Sequence, residues 1–201
     1  MIELPTVETA RLRLERWEHA AHGPGFAAMN AQPDVMRFLG GDEPLTQAQS
    51  DEASLRISAH WGTYRFGLWA AVLNGEMIGF IGLCHPLWFP AMAERVEVGW
   101  RLRVEAWGHG YATEGARAAL TAGFETLGLD EIVALVHPQN ERSLAVTRRL
   151  GMVEEAEIPH PSRDHPMKIL ARRRDRQADQ PREAAAQNQP PNQPVRPVRS
   201  S

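Results

Sequence analysis

The stretch that decides the fold runs from Val96 to Thr113 and reads Val-Glu-Val-Gly-Trp-Arg-Leu-Arg-Val-Glu-Ala-Trp-Gly-His-Gly-Tyr-Ala-Thr. Its first half alternates apolar residues with others, which predicts a strand over 95–103 with one buried face. Two glycines then predict a tight turn, and a helix is predicted from Tyr111 to Leu127, ended by Gly128. The start of a helix leaves backbone N–H groups unpaired and carries a partial positive charge, so this turn can bind a phosphate.

The familiar nucleotide-binding motifs fit this turn poorly. A dinucleotide fingerprint, Gly-x-Gly-x-x-Gly, would need a third glycine where this chain has Thr113. Asp130 has about the spacing of a ribose-binding acid, but it comes before the next predicted strand rather than at its end. A P-loop lysine is absent. A dinucleotide-dependent oxidoreductase therefore stays only as a weak alternative, and a tight turn without a ligand also stays open.

The rest of the chain alternates strand and helix signals. Asn74-Gly75 predicts a two-residue hairpin turn, because both residue types tolerate positive φ. Asn140 is predicted to cap a helix that stops at Gly151. Further strands are predicted at 10–17, 65–73, 76–84, 131–137, 152–158 and 167–170, and further helices at 33–39 and 46–60. The last strand is predicted to be short, because Arg172-Arg173-Arg174 interrupts its apolar pattern. This order predicts a single α/β domain with a mixed sheet.

Composition narrows the function classes. The 201 residues are 43% hydrophobic and 23% charged, without an apolar run long enough to span a bilayer and without a signal-peptide pattern. Cys84 is the single cysteine, so a reduced, cytoplasmic protein is expected. The net charge of −3 leaves an acidic body once the arginine-rich C-terminus is set apart, which argues against a nucleic-acid-binding domain. Residues 177–201 are rich in Gln, Asn and Pro, and a disordered tail is predicted there.

Several of these segments together resemble one known family. Glu97-Val98-Gly99-Trp100-Arg101-Leu102, the turn 107–114, Asn140-x-x-Ser143 and Leu150-Gly151-Met152 are similar to the GNAT superfamily of N-acetyltransferases. The branch resembled is that of the RimJ/RimL ribosomal-protein N-terminal acetyltransferases, and the resemblance covers roughly 8–158. It implies a GNAT domain over 8–170 with a mixed, mostly antiparallel central sheet flanked by helices. Two splayed strands of that sheet would hold acetyl-CoA.

The resemblance also implies a cofactor site. The pantetheine arm would pair with exposed strand backbone at Trp100 and Leu102, and the pyrophosphate would lie on the turn and the helix start. With the contact of Asn140 to the pantetheine arm, the implied cofactor-binding residues are Trp100, Leu102, Trp107, Gly108, His109, Gly110, Tyr111, Ala112, Thr113, Asn140 and Ser143. Trp107 departs from the Gln or Arg that the superfamily motif has at its first position.

Two residues are candidates for the proton transfers of acetylation. Many GNAT enzymes have a tyrosine seven residues after the Asn, but this chain has Thr147 there. Ser143 is the alternative hydroxyl near the CoA sulfur, although it could also be an ordinary first-turn serine. Glu97 could accept the amine proton through water, or it could only orient the substrate.

The sequence thus predicts an acetyl-CoA-dependent N-acetyltransferase that acts on a primary amine by direct attack in a ternary complex. The acceptor would be a protein or peptide N-terminus or a small amine. No metal is expected, since the histidines lack ligand spacing, and no membrane partner is expected; the chain would be a monomer or a homodimer. A non-catalytic acetyl-CoA sensor on the same fold remains the alternative, because the tyrosine is missing.

Overall fold

The computed structural model describes residues 3–39 and 43–174, so the predicted tail at 177–201 lies outside it. Over these residues the chain forms one mixed sheet of eight strands in the order β1-β2-β3-β4-β5-β6-β8-β7. The strands are β1 Val7–Glu8, β2 Arg13–Glu15, β3 Leu68–Leu73, β4 Glu76–Cys84, β5 Glu97–Leu102, β6 Glu131–Val136, β7 Val153–Pro159 and β8 Pro166–Arg173. The helices are α1 His19–Asn30, α2 Pro33–Met36, α3 Gln47–Tyr64, α4 Tyr111–Thr121 and α5 Glu141–Arg149. All neighbouring strands are antiparallel except β5 and β6, which are parallel.

Local turn chemistry is where sequence and structure agree best. Asn74 and Gly75 both have positive φ, 52° and 82°, and join β3 to β4 as the hairpin prediction required. Thr46 caps α3 in a capping box with Gln49. Leu127 follows a π-helical turn that continues α4, and Gly128 then takes a φ of 70°. The predicted hairpin turn and the predicted helix-ending glycine are confirmed, because each depends on a few adjacent residues.

Helix α1 was not predicted from the sequence. Its segment contains Gly23, Pro24 and Gly25, which are poor helix formers, and it lacks a side-chain cap. The helix is stabilised by packing instead. Phe26 lies between the rings of Trp17 and Phe80, with centroids 5.2 and 6.1 Å away. Tertiary contacts therefore override the local propensity.

The single strand predicted over 10–17 is wrong in extent. Two short strands are found, β1 and β2, and the residues between them turn. Thr9 holds this turn, because its backbone N–H donates to the carbonyl of Leu12 at 2.8 Å and its hydroxyl oxygen accepts the backbone N–H of Leu12 at 2.8 Å. The alternating pattern that suggested one long strand continues through the turn.

The prediction that the last strand would be short is also wrong. β8 runs through Arg173 and lies between β6 and β7. Arg173 forms ion pairs with Glu131 on β6 and Glu155 on β7. The arginines continue the strand because neighbouring strands supply carboxylates at the same end.

The two faces of the sheet have different coverings. On one face Gly115 of α4 lies directly against Ile81 of β4, where a Cβ would come within 2.4 Å of the Ile81 side chain. On the other face α1 covers Phe80, and the loop carrying Phe89 and Met92 packs on β6 and β8. Since Ile81 is paired with Trp100 and Phe80 with Arg101, even-numbered β5 residues face α4 and odd-numbered ones face α1.

Candidate active site

The parallel strands β5 and β6 are hydrogen-bonded only near their N-terminal ends and then diverge. Their pairing registers at Glu97 and Val133, with the Val133 N–H donating to the Val96 carbonyl at 2.9 Å. On the other edge of β5, the Arg103 N–H donates to Ile78 of β4. Because backbone groups alternate between the two edges of a strand, the N–H and C=O of Trp100 point towards β6, into the opening. The structure therefore places a V-shaped cleft between the strands, with Glu97 at its vertex.

Leu102, the second residue predicted to offer free backbone, already has a partner. Its carbonyl accepts a 2.8 Å hydrogen bond from the indole N–H of Trp107. The guanidinium of Arg142, in the first turn of α5, lies 4.4 Å from the centre of the Trp107 ring. Trp107 therefore links the end of β5 to α5 at the mouth of the cleft. The sequence did not single out Arg142, since its position over the ring depends on the tertiary fold.

The glycine turn has the geometry predicted for a phosphate cradle. Gly108 and Gly110 have φ of 80° and 82°, in the left-handed region that favours glycine, and Gly110 is the N-cap of α4. A Cβ on Gly108 would meet nothing within 4 Å, so the turn leaves open space in front of it. His109 is exposed, while Tyr111, Ala112 and Thr113 are partly exposed in the first turn of α4.

A charged clamp holds the start of α4 in place. The carboxylate of Glu114 accepts hydrogen bonds from the Thr9 hydroxyl at 2.7 Å and from the Arg11 backbone N–H at 2.8 Å. Arg11 also forms an ion pair with Glu114, and its Nη1 donates to the carbonyl of His109 at 3.0 Å. Burial alone would raise the pKa of Glu114, but the bonds from Thr9 and Arg11 outweigh it and hold the pKa below its usual value. Glu114 thus orients the turn.

Helix α5 brings Asn140 and Ser143 to the β6 side of the cleft. The Asn140 side chain accepts the backbone N–H of Ser143 at 3.1 Å, which is the predicted N-cap. Ser143 is partly exposed, and its hydroxyl has no hydrogen-bond partner among the described residues. Thr147 is fully buried, and its hydroxyl donates to the Leu144 carbonyl at 2.9 Å. Of the two hydroxyls, only that of Ser143 is available to a ligand.

Glu97 lies on the face of β5 that is turned towards α1. Burial raises the pKa of its carboxyl to about 8, although a hydrogen bond from the backbone N–H of Leu135 on β6 opposes this shift. The side chain is nevertheless partly exposed to water. A carboxyl with this pKa exchanges a proton near neutral pH, as a general base requires.

A wall of rings on the same face was not predicted from the sequence. The rings of Phe38 and His137 are 5.1 Å apart, those of His137 and His165 4.5 Å, and those of His165 and His160 4.9 Å. Trp88 stacks on His160 at 5.3 Å. Burial and neighbouring positive charges lower the pKa of His137 and of His160, so both are neutral at pH 7. These residues come from four separate segments, and only the fold brings them together.

Neither Cys84 nor the histidines have surroundings that would make them a nucleophile or metal ligands. Cys84 is paired with Glu97 across β4 and β5, and burial followed by the Glu97 charge raises the pKa of its thiol well above the usual value. A neutral thiol is a poor nucleophile. Within 3–39 and 43–174, no group of three or more His, Cys, Asp or Glu side chains is arranged to hold a metal ion. No helix in the same ranges is both long and apolar enough to cross a bilayer.

Comparison with known protein families places most of this chain in a described domain family. Residues 11–153 match the acetyltransferase (GNAT) domain. The FsC-acetyl coenzyme A-N(2)-transacetylase of Aspergillus fumigatus is 30% identical over 74% of this chain, and the match spans 65% of that enzyme. The uncharacterized N-acetyltransferase YoaA of Bacillus subtilis is 35% identical over 75% of this chain and 84% of its own length. This assignment removes the dinucleotide-dependent oxidoreductase alternative.

Solved structures share the fold. An acetyltransferase from Agrobacterium tumefaciens superposes with a TM-score of 0.73 at 31% identity, covering 87% of this chain and 97% of that one. RimL, a ribosomal L7/L12 α-N-protein acetyltransferase whose structure contains coenzyme A, superposes with a TM-score of 0.69 over 82% of this chain and 95% of its own. At 16% identity, RimL shows the common fold alone.

Proposed function

The chain belongs to the GNAT family of N-acetyltransferases, and from this premise we propose that it transfers the acetyl group of acetyl-CoA to a primary amine by direct attack in a ternary complex. The observation that carries the proposal is the cleft between β5 and β6. At its mouth lies the Gly108–Gly110 turn, and at its vertex lies Glu97, whose pKa of about 8 suits proton exchange. The acceptor is a protein or peptide N-terminus or a small amine.

The residues around the cleft fit acetyl-CoA. The open space before Gly108 and the start of α4 suit a pyrophosphate, which would accept hydrogen bonds from the backbone N–H groups of Tyr111, Ala112 and Thr113. Trp100 would pair its backbone with the amides of the pantetheine arm, as one strand pairs with another. Asn140 and Ser143 border the same cleft from α5. When bound, the thioester supplies the electrophilic carbonyl and a thiolate leaving group.

Glu97 and Ser143 would handle the protons. Only a neutral amine can attack, and Glu97 accepts through water the proton that the nitrogen releases once it has attacked. About one carboxyl in ten is ionised at pH 7 when its pKa is near 8. Glu97 is therefore a stronger base than an ordinary glutamate, but a smaller fraction of it is in the basic form. The unbonded hydroxyl of Ser143 donates a proton to the departing sulfur. Thr147 cannot do so, since its hydroxyl is buried and bonded to Leu144.

The test is a thiol-release assay with acetyl-CoA and a panel of amines. The panel contains a peptide with a free N-terminus, an aminoglycoside, a polyamine and simple amino acids. We expect release of one thiol per acetylated amine with at least one acceptor. Acetyl-CoA binding without thiol release for any amine would favour the non-catalytic sensor, for which the absence of tyrosine at Thr147 is the supporting feature.

A further inference from the structure

Arg101 is a partly exposed cation on the α1 face of β5, which also carries Glu97 and is called the acceptor face below. It lies on β5, with its guanidinium 5.2 Å from the ring of Phe80 and 5.8 Å from that of Phe26. Its Nη1 donates to the Asn30 side chain at 2.8 Å, while its Nε is buried and has no hydrogen-bond partner. A guanidinium has five N–H groups, so most of its donors lack a partner within the described part of the chain.

The nearest arginines before and after Arg101 in the sequence both have carboxylate partners. Arg95 forms ion pairs with Glu131 and Glu155, and Arg103 forms one with Glu76. Among residues 3–39 and 43–174, no carboxylate lies within ion-pair distance of Arg101. Burial lowers its pKa to about 10, which still leaves it charged at pH 7. Removing a charge from water without a counter-ion is unfavourable, so this arrangement calls for an anion from elsewhere.

The position of Arg101 relative to Glu97 indicates that an anion bound to Arg101 would belong to the acceptor molecule. Both side chains lie on the α1 face of β5, four residues apart, which is about 13 Å between their Cα atoms along a strand. Glu97 marks the place of the reacting amine, and long side chains shorten the remaining gap. The ring wall that includes His137 flanks the same face. The acceptor face therefore presents a base at one end and an unpaired cation at the other.

We propose that Arg101 binds a carboxylate of the acceptor, so that the substrates are amines that also carry a carboxylate, such as amino acids and short peptides. This inference rests on the proposed acetyl transfer to an amine. A polyamine fits the face poorly, because its second ammonium group would approach Arg101 with no carboxylate there to pair with. A guanidinium also matches a carboxylate geometrically, since its planar N–H pairs can bind both oxygens.

The experiment uses matched acceptors that differ only in charge. A series of ω-amino acids from glycine to 6-aminohexanoate, together with glycylglycine, is compared with the corresponding carboxamides and with spermidine. Using the full chain, thiol release gives kcat/KM for each acceptor. We expect the best carboxylate to exceed its carboxamide by about tenfold to a hundredfold, the range of a hydrogen-bonded charge pair. The chain length of the best acceptor reports the distance from the amine to Arg101.

Two variants of Arg101 and one control variant test whether Arg101 is the residue that binds the carboxylate. Arg101→Met should bring the carboxylate and carboxamide values within about threefold, mainly through KM for the acceptor, and Arg101→Lys should restore part of the preference. Arg103→Met is the control, since it removes the arginine directly after β5, which is already paired with Glu76. It should keep the full preference. Equal losses for carboxylates and carboxamides in Arg101→Met would show a structural role and overturn the proposal.

A binding measurement separates this inference from the proposed transfer. Calorimetric titration of the CoA-bound protein with 6-aminohexanoate and with its carboxamide reports carboxylate recognition without turnover. Carboxylate-specific binding that is lost in Arg101→Met, with no acetyl transfer to any amine, would uphold the Arg101 site and refute the transferase. Acetyl transfer with no preference for carboxylates, or a preference for spermidine, would uphold the transferase and refute the Arg101 site.

Discussion

Glu97 and Glu114 have the same type of side chain, but their pKa values are shifted in opposite directions. Both lie beside the cleft. Glu97 accepts one backbone hydrogen bond, whereas Glu114 accepts hydrogen bonds from Thr9 and Arg11 and also pairs with the Arg11 cation. Burial raises the pKa of the first to about 8, and the added donors hold the pKa of the second below its usual value. Glu97 can therefore exchange a proton near neutral pH, while Glu114 stays ionised as a clamp.

Glu97→Gln should change the shape of the pH–rate profile. In the parent protein both the base and an α-amine acceptor must lose a proton, with pKa values near 8. The logarithm of kcat/KM should therefore rise below pH 7 with a slope of about two, and the variant should show a slope of about one, left by the amine alone. Initial rates with one α-amine acceptor between pH 5.5 and 9 measure both slopes. The same slope in the two proteins would mean that Glu97 is not the base.

Ser143→Ala should lower kcat without weakening the binding of acetyl-CoA. A thiol is already a good leaving group, so the expected loss is on the order of tenfold, or about 1.4 kcal/mol in the barrier. The Asn140 cap uses the backbone N–H of Ser143, so it survives the substitution. Ser143→Thr, which keeps a hydroxyl, is the matched control and should retain most of the rate. A loss in Ser143→Thr equal to that in Ser143→Ala would point to packing rather than proton transfer.

Sequence reasoning at this scale finds residues that sit in a motif and misses those that meet only in space. Glu97 and Ser143 were identified because they fall in segments that resemble a known family. Arg101 was quoted within such a segment, but its lack of a carboxylate partner depends on α1 and on the neighbouring ion pairs. The ring wall of Trp88 and the three histidines has no local signal at all.

Among the elements, the start of α4 gives the clearest link between backbone geometry and ligand binding. Two left-handed glycines bend the chain so that the first N–H groups of the helix face open space. The clamp from Arg11 and Glu114 fixes the angle of the helix. The turn itself was predictable from its glycines. The clamp was not, because it joins residues 103 positions apart.

Gly110→Asp should abolish the stabilisation by acetyl-CoA. The parent protein should gain about 2.7 kcal/mol at a ligand concentration of a hundred times Kd, seen as a rise in Tm. In the variant, a carboxylate would face the pyrophosphate, and the left-handed φ of 82° adds strain. Gly128→Asp is the matched control, since Gly128 also has a positive φ, of 70°, but lies in open space after the π-helical turn that follows α4. It should lose stability yet keep the thermal shift. A retained shift in Gly110→Asp would place the pyrophosphate elsewhere.

At the scale of the whole molecule, the topology was predictable to the extent that its signals were local. The hairpin at Asn74-Gly75, the buried strand β6 and the helix capped by Asn140 were all predicted, and the mixed sheet follows from their order. Helix α1 was missed, because the packing of Phe26 rather than its propensity stabilises it. The full length of β8 was missed, because its last residues are paired with carboxylates on β6 and β7 that are distant in the sequence.

The proton affinity of Glu97 should also be visible in the stability of the whole fold. Its folded pKa of about 8 lies above the ordinary value of 4.5, so between these pH values the folded state holds a proton that the unfolded chain has lost. The free energy of unfolding therefore falls as pH rises through this window. Three partly buried histidines titrate with the opposite sign, since the pKa values of His60, His137 and His160 are lowered and their contribution is lost as pH falls.

The difference between the parent protein and Glu97→Gln isolates this contribution, because the histidines are common to both. Glutamine resembles the protonated carboxyl, so the two proteins should have similar stability near pH 5. Near pH 9 the variant should be more stable by on the order of 2 kcal/mol, less than full linkage would give because water reaches part of the side chain. Denaturant unfolding at pH 5, 7 and 9 measures the difference. If it does not change with pH, the carboxyl has an ordinary pKa, and the slope of two predicted for the pH–rate profile must fail as well.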